Sequence, residues 1–318
     1  MGKLIVNEWA KLFRRTGTLV MVGLVILLVM GVAGVYKYDE IKNPPQENPK
    51  WKEALQQQIK DDTIALKGVG KANANMKMYY ERAIAVNKYK VEHNIAPESE
   101  KHVWVFVRDA EQIISFVGIF VIVVAAGMVS SEFSWGTVKL LLIRPISRTK
   151  ILLSKYLTVL LFGLTLLATL FVFSWIAGAI FFGFPEGNIS HLAYFDGEVV
   201  ERSLVVQLIV EYLLSSIDLL MLATMAFMIS AVFRNSNLAI GIALFLMFMG
   251  QTATMLLATK FEWAKYILFA NTNLTMYFDG VPPIESMTLT FSIVMLIVYY
   301  LVFQVLAFTV FAKRDVAS

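Results

Sequence analysis

The sequence predicts an all-α membrane protein: six transmembrane helices, an N-terminal interfacial helix, and an extracellular helical hairpin between helices 1 and 2. Three observations predict it. Six apolar stretches, at 18–36, 112–130, 156–182, 204–233, 238–258 and 289–311, approach or exceed the roughly 20 residues a helix needs to cross a bilayer. Of the 318 residues, 58% are hydrophobic and 16% charged, where a soluble domain has about 45–50% and 25%. Lysines and arginines gather at alternate span ends, as they do in cytoplasmic loops.

Residues 1–17 open the chain as an amphipathic segment. Leu4, Ile5, Trp9, Leu12 and Phe13 share one helical face, and Lys3, Asn7, Lys11, Arg14 and Arg15 take the rest. Such a helix lies in the membrane interface. The first span, 18–36, is longer than the apolar core of a signal peptide and is read as an uncleaved helix. Residues 37–111 form the extramembrane domain, opened by Asn43-Pro44-Pro45. Trp51, Leu55 and Ile59 recur at helical spacing, Gly68-Val69-Gly70 interrupts, and a second helical run follows to His93. That pattern is an αα-hairpin.

After the second span, 112–130, comes a cytoplasmic loop at 131–155, and then the third span. The fourth span, 204–233, and the fifth, 238–258, then follow. Residues 259–288 form an external, re-entrant-like segment, in which Trp263 and Tyr266 suit the membrane–water interface. The sixth span closes the chain. Twelve basic residues flank one set of span ends, while only Arg202, Lys260 and Lys265 lie in short loops on the other. The long segment, with thirteen basic and twelve acidic residues, does not bear on topology. Both termini are expected in the cytoplasm and the protein in the plasma membrane.

Composition also excludes chemistry. With no cysteine, thiolate metal sites and cysteine nucleophiles drop out. His93, His102 and His191 lie far apart, read as solvated residues, and no HExxH is present. No metal site and no catalytic residue is expected. The basic residues sit beside spans rather than on one patch with stacking aromatics, so nucleic acid is not an expected partner. There is no phosphate-cradling GxxxxGK[ST]; the nearest string, Gly68-Val69-Gly70-Lys71-Ala72, lacks both spacing and hydroxyl. The chain is not expected to hydrolyse ATP.

The loop after the second span carries the strongest pattern. Glu132, Phe133, Trp135, Gly136 and Thr137 precede an apolar run, and Arg144, Pro145, Ser147, Arg148, Lys150 and Lys155 follow it. Large apolar side chains on the cytoplasmic side call for a partner that covers them. This ExxxGT…RPxSR string resembles the permease subunits of ABC-2-type transporters. The likeness extends to Glu8-Trp9-Ala10-Lys11-Leu12-Phe13, the six-span layout, the Ser230–Asn237 turn and Phe269-Ala270-Asn271.

The resemblance implies a half-transporter that pairs with a second permease copy, identical or different, and docks on a separate ABC ATPase holding ATP and magnesium. This chain itself would bind no cofactor. By that likeness Glu132, Phe133, Trp135, Gly136 and Thr137 lie in or beside a coupling helix. Arg144, Pro145 and Arg148 would fix its return to the membrane, and Arg234 and Asn235 would make a smaller contact. For Arg148, Lys150 and Lys155 the competing reading is topology and lipid-phosphate anchoring. The implied function is ATP-driven export of an amphipathic compound such as a drug, an antimicrobial peptide or a lipid-like molecule.

Within the spans, Gln207, Glu211, Ser215 and Asp218 share one face of the fourth helix. Intramembrane acids usually face a cavity or interior. Glu211, Ser215 and Asp218 are candidate substrate-pathway residues, with structural packing the competing reading. An ion-coupled secondary transporter using Asp218 and Glu211 is the alternative function. An intramembrane enzyme finds no supporting motif.

Overall fold

The computed structural model describes residues 1–45, 48–69, 74–97, 101–134, 146–185, 190–195, 197–278 and 280–313. Trp135, Gly136, Thr137, Arg144 and Pro145 therefore lie outside the described residues. Six helical segments are long and apolar enough to cross a membrane.

The chain starts with α1 (Gly2–Phe13), turns at Arg14–Arg15, and enters α2 (Thr16–Lys42). The first span runs past Tyr36 to Lys42 and stops where Pro44-Pro45 can supply no amide donor. Then α3 (Trp51–Gly68) and α4 (Ala74–Glu92) pack against each other.

The second span differs from expectation at its start. Helix α5 (Val103–Ala110), a tight 3-10 turn at Glu111–Ile113 and α6 (Ile114–Ser134) form one near-continuous rod. The apolar run Val103-Trp104-Val105-Phe106-Val107 extends the span outward by nine residues. His102, expected to be solvated, is 8% exposed and caps α5, its Nδ1 accepting from the Trp104 amide at 3.3 Å.

Helix α7 (Arg148–Phe181) begins eight residues before the expected start of the third span, so Lys150 and Lys155 ride on the helix rather than in the loop. An unexpected antiparallel hairpin follows, β1 (Ser190–Phe195) with β2 (Glu198–Ser203). Gly197 at its turn has φ +90°, a conformation open to glycine. The remaining spans are α8 (Leu204–Phe233), α9 (Ser236–Ala258) and α11 (Leu289–Lys313). Between the last two lie 3-10 turns at Glu262–Tyr266 and Leu274–Tyr277, flanking the short α10 (Leu268–Asn271).

The second and fourth spans form the centre. Their apolar windows are 67% and 61% buried, against 22% for α2 and 17% for α9 and α11. Small residues let α6 and α8 approach: Ala125, Ala126 and Ser130 on one and Ala223, Ala226 and Ser230 on the other are all buried. The Ser230 hydroxyl donates to the Ala126 carbonyl and accepts from the Ser130 amide. Leu27, Val35, Phe245, Leu256, Leu301 and Val305 remain exposed on the peripheral helices, as lipid-facing side chains do.

At the end away from the termini, α7 abuts the start of α5 through Gly178. A Cβ there would stand 3.0 Å from both the Cα and the carbonyl oxygen of Val103. Backbone atoms cannot swing aside. Gly178→Ala should lower stability by about 1–3 kcal/mol, measured by thermal unfolding in detergent. Gly163→Ala, whose Cβ would meet only side-chain carbons at 3.5–3.7 Å, should stay within about 0.5 kcal/mol.

Candidate functional site

Two polar sites stand out in an otherwise apolar bundle, one at each end. At the end carrying the termini, α1 turns its apolar face onto α7. Trp9 and Phe13 stack at 4.5 Å, and Phe13 meets Phe162 edge-on at 6.2 Å. The Thr18 hydroxyl, at the start of α2, ties back to the Leu12 carbonyl at 2.7 Å. Glu8 lies inside this apolar stripe, not on the polar face.

Glu8 meets Lys155. The Lys155 ammonium donates to Glu8 Oε2 at 2.9 Å and to Glu132 Oε1 at 2.8 Å, while Lys11 holds Glu8 Oε1 at 2.8 Å. The Lys155 side chain is 4% exposed, and those of Glu8 and Glu132 are 10% and 17%. Burial raises the Glu8 carboxyl's pKa, but the Lys155 and Lys11 ammoniums outweigh it, so the group sits below its ordinary value. Glu8 is therefore charged at neutral pH. One buried cation thus clamps α1, the end of α6 and the start of α7. Lys155 is held by protein carboxylates, and lipid anchoring does not describe it.

Phe133, Arg148, Arg234 and Asn235, for which the resemblance implies a part in ATPase docking, make contacts within the chain at the same end of the bundle. The Arg234 guanidinium lies 4.5 Å over the Phe133 ring, and Phe311 meets that ring edge-on at 6.3 Å. Arg234 holds φ +55° at the end of α8, and the Asn235 side chain accepts from the Leu238 amide at 3.1 Å to start α9. This pair makes a tight helix–helix reversal. Arg148 donates to the Ala312 carbonyl at 3.3 Å, joining α7 to the end of α11.

The second site is a cavity of about 450 Å³ near the opposite end, between the second, fourth and fifth spans and the segment after α9. Asp218 and Ser215 line it, as do Gln251 and Thr272; Met247, Phe248 and Leu222 form apolar wall. Glu211 does not line it, and accepts instead from Gln207 Nε2 at 2.9 Å. The residue the sequence reading missed is Glu111, which also lines the cavity and accepts from the Ser215 hydroxyl. It was assigned to the extramembrane domain because the second span was started one residue later. The apolar pentapeptide at 103–107 was the signal that could have found it.

A second cavity of about 270 Å³ shares Gln251, Asn273 and Thr275 with the first and reaches Val281 and Pro283. Phe269, one of its lining residues, is seated against Gly250, where a Cβ would stand 2.6 Å from the ring. Asn271 holds this cover together. Its Nδ2 donates to the Lys265 and Ile267 carbonyls, both at 2.8 Å, and its Oδ1 accepts from the Ser292 hydroxyl at 2.7 Å. No group of three or more His, Cys, Asp and Glu residues able to hold a metal ion occurs among the described residues.

Six apolar helices packed around α6 and α8 define a multi-pass α-helical membrane protein. Residues 73–317 match the family described as "Protein of unknown function (DUF2705)", and the chain belongs to that family. It is 48% identical over 321 residues to the Bacillus subtilis (strain 168) protein named "Uncharacterized protein YhcI", covering 100% of both chains. It is 33% identical over 198 residues to the same organism's "Uncharacterized membrane protein YdbK", covering 61% of this chain and 76% of that one.

Proposed function

We propose that this chain is the permease subunit of an ABC-2-type transporter, exporting an amphipathic compound on energy supplied by a separate ATPase subunit. A second permease copy completes the route. On this reading both termini, α1 and the 131–147 loop face the cytoplasm of a cell bounded by the plasma membrane. The α3–α4 hairpin and the β-hairpin face outward, and α1 lies in the inner interface.

The observation that carries the proposal is the Glu8–Lys155–Glu132 clamp. A loop that transmits force from a partner needs a stiff base, and this one springs from a buried charge cluster joining three helices. The Arg234–Phe133 contact braces the second cytoplasmic turn against that base. Movement of the docking loop would then pass to α1 and α7 together instead of dissipating in a flexible hinge.

The test is affinity capture of the full chain from native membranes, with the co-purifying ATPase identified and its activity measured. Trp135→Ala should reduce ATPase recovery by about tenfold, as loss of a buried aromatic anchor does. Glu132→Gln should leave the ATPase bound but poorly stimulated. If both variants recover and stimulate the ATPase like the parent, docking at this loop is wrong.

One observation favours the ion-coupled reading: Glu111 joins Asp218 at one cavity, supplying a second intramembrane acid. Transport that persists after ATP depletion but stops when the proton gradient is collapsed would establish that reading instead.

A further inference from the structure

We infer that the cavity between the second, fourth and fifth spans binds an amphipathic organic cation, its charged head against Asp218 and Glu111 and its apolar body against Met247, Phe248 and Leu222. This deepens the permease reading by naming a substrate class. It rests on that reading for transport; binding is independent of the ATPase.

Three features of the cavity converge on this ligand. Its volume of about 450 Å³ falls in the range of small-molecule sites, about 300–1,000 Å³. Its two carboxylates come from different spans, and no lysine, arginine or histidine is among its described lining residues. An anion would meet two like charges there without a compensating cation. A carboxylate within a span is costly unless it faces a counter-charge or water, and an ammonium or delocalised cation supplies that counter-charge.

The walls complete the match. Met247 is an adaptable apolar surface and Phe248 an aromatic one, and both suit the body of an amphipath whose head is cationic. The cavity also has a continuation. Gln251, Asn273 and Thr275 border both it and the smaller chamber that reaches Val281 and Pro283 beneath the outer cover. A ligand at Asp218 therefore lies next to a second chamber across a polar edge.

The experiment uses the full chain in phosphatidylcholine nanodiscs, with rhodamine 6G as the cationic probe and fluorescence anisotropy as the readout. Saturable binding above that of empty discs is expected. Asp218→Asn and Glu111→Gln should each raise Kd by about tenfold or more, as loss of a buried charge partner does. Gly118→Leu, which fills the cavity without altering a charge, should abolish binding. Glu201→Gln removes the same charge from the exposed β-hairpin and should change nothing.

Competition on the parent protein needs no variant to fold. 4-Phenylbutylammonium should displace the probe, while 4-phenylbutyrate and 4-phenylbutanol should not. The inference is overturned if binding does not exceed empty discs, if the alcohol competes as well as the ammonium, or if Asp218→Asn and Gly118→Leu bind like the parent. None of these results touches capture of the ATPase, and a failed capture leaves this binding measurement intact.

Discussion

Lys155→Met should cost about 3–5 kcal/mol of stability, the range for removing one partner from a buried ion pair. Methionine matches the length of the lysine stem, so packing against α1 and α6 changes little. What changes is charge. Glu8 and Glu132 would be left facing one another across the vacated ammonium position, with Lys11 still at the far oxygen of Glu8. Water reaches this point poorly, because the Lys155 side chain is 4% exposed.

The same physics predicts a rescue. Combining Glu8→Leu and Glu132→Leu with Lys155→Met removes all three charges, and replacement of a buried ionic cluster by well-packed hydrophobic residues of similar volume is often close to neutral. The triple variant should regain most of the lost stability, read by thermal unfolding of the purified chain in a mild detergent. A lysine anchored on lipid phosphate would behave otherwise: its loss would matter little in detergent, and neutralising Glu8 and Glu132 would rescue nothing. If Lys155→Met stays within about 1 kcal/mol of the parent, the ordinary size of a surface effect, the clamp is not structural.

The clamp shows where sequence reading reached and where it stopped. The spans were legible because hydrocarbon thickness fixes helix length, and the fourth, 204–233, has the bounds read from its hydropathy. Glu8 was visible as a charge in the amphipathic segment. Its partner was not, because Lys155 lies 147 residues away and local periodicity carries no information about which helix packs on which. Lys155 therefore looked like one more basic residue at a span end.

Glu111 failed for another reason. Hydropathy places span edges only to within a turn or more, and two acids at 109 and 111 pulled the boundary inward past a residue that lines the cavity. The β-hairpin had a local signal in Asp196-Gly197, flanked by Tyr194-Phe195 and Val199-Val200, a strong short-range hairpin pattern. Its neighbouring charges masked it beside spans of far stronger contrast. The apolar cluster at 261–269 was read as dipping into the interface. Asn271, the buried residue that ties that segment's turns together, has no signature beyond its identity.

Asn271→Leu should produce the other large effect, about 2–4 kcal/mol, because a buried polar group stripped of its partner costs about 1–3 kcal/mol and overpacking adds to it. Leucine keeps the branching at Cγ but is bulkier, so some overpacking at this fully buried position adds to the lost hydrogen bonds. Three groups lose this partner at once: the Lys265 carbonyl, the Ile267 carbonyl, which keeps the Ala270 amide at 3.1 Å, and the Ser292 hydroxyl. Ser292 retains Tyr277 at 2.7 Å, while Asn271 itself is 0% exposed, so water cannot substitute without opening the segment. The loss should thus appear as local opening of 262–277 before the bundle unfolds. A chain without cysteine makes that opening directly measurable. Ala270→Cys places one thiol at a position that is 3% exposed, and maleimide should label it slowly in the parent and fast once Asn271→Leu is added. Equal labelling rates with an unchanged unfolding temperature would mean that Phe269, seated against Gly250, holds the cover without the asparagine.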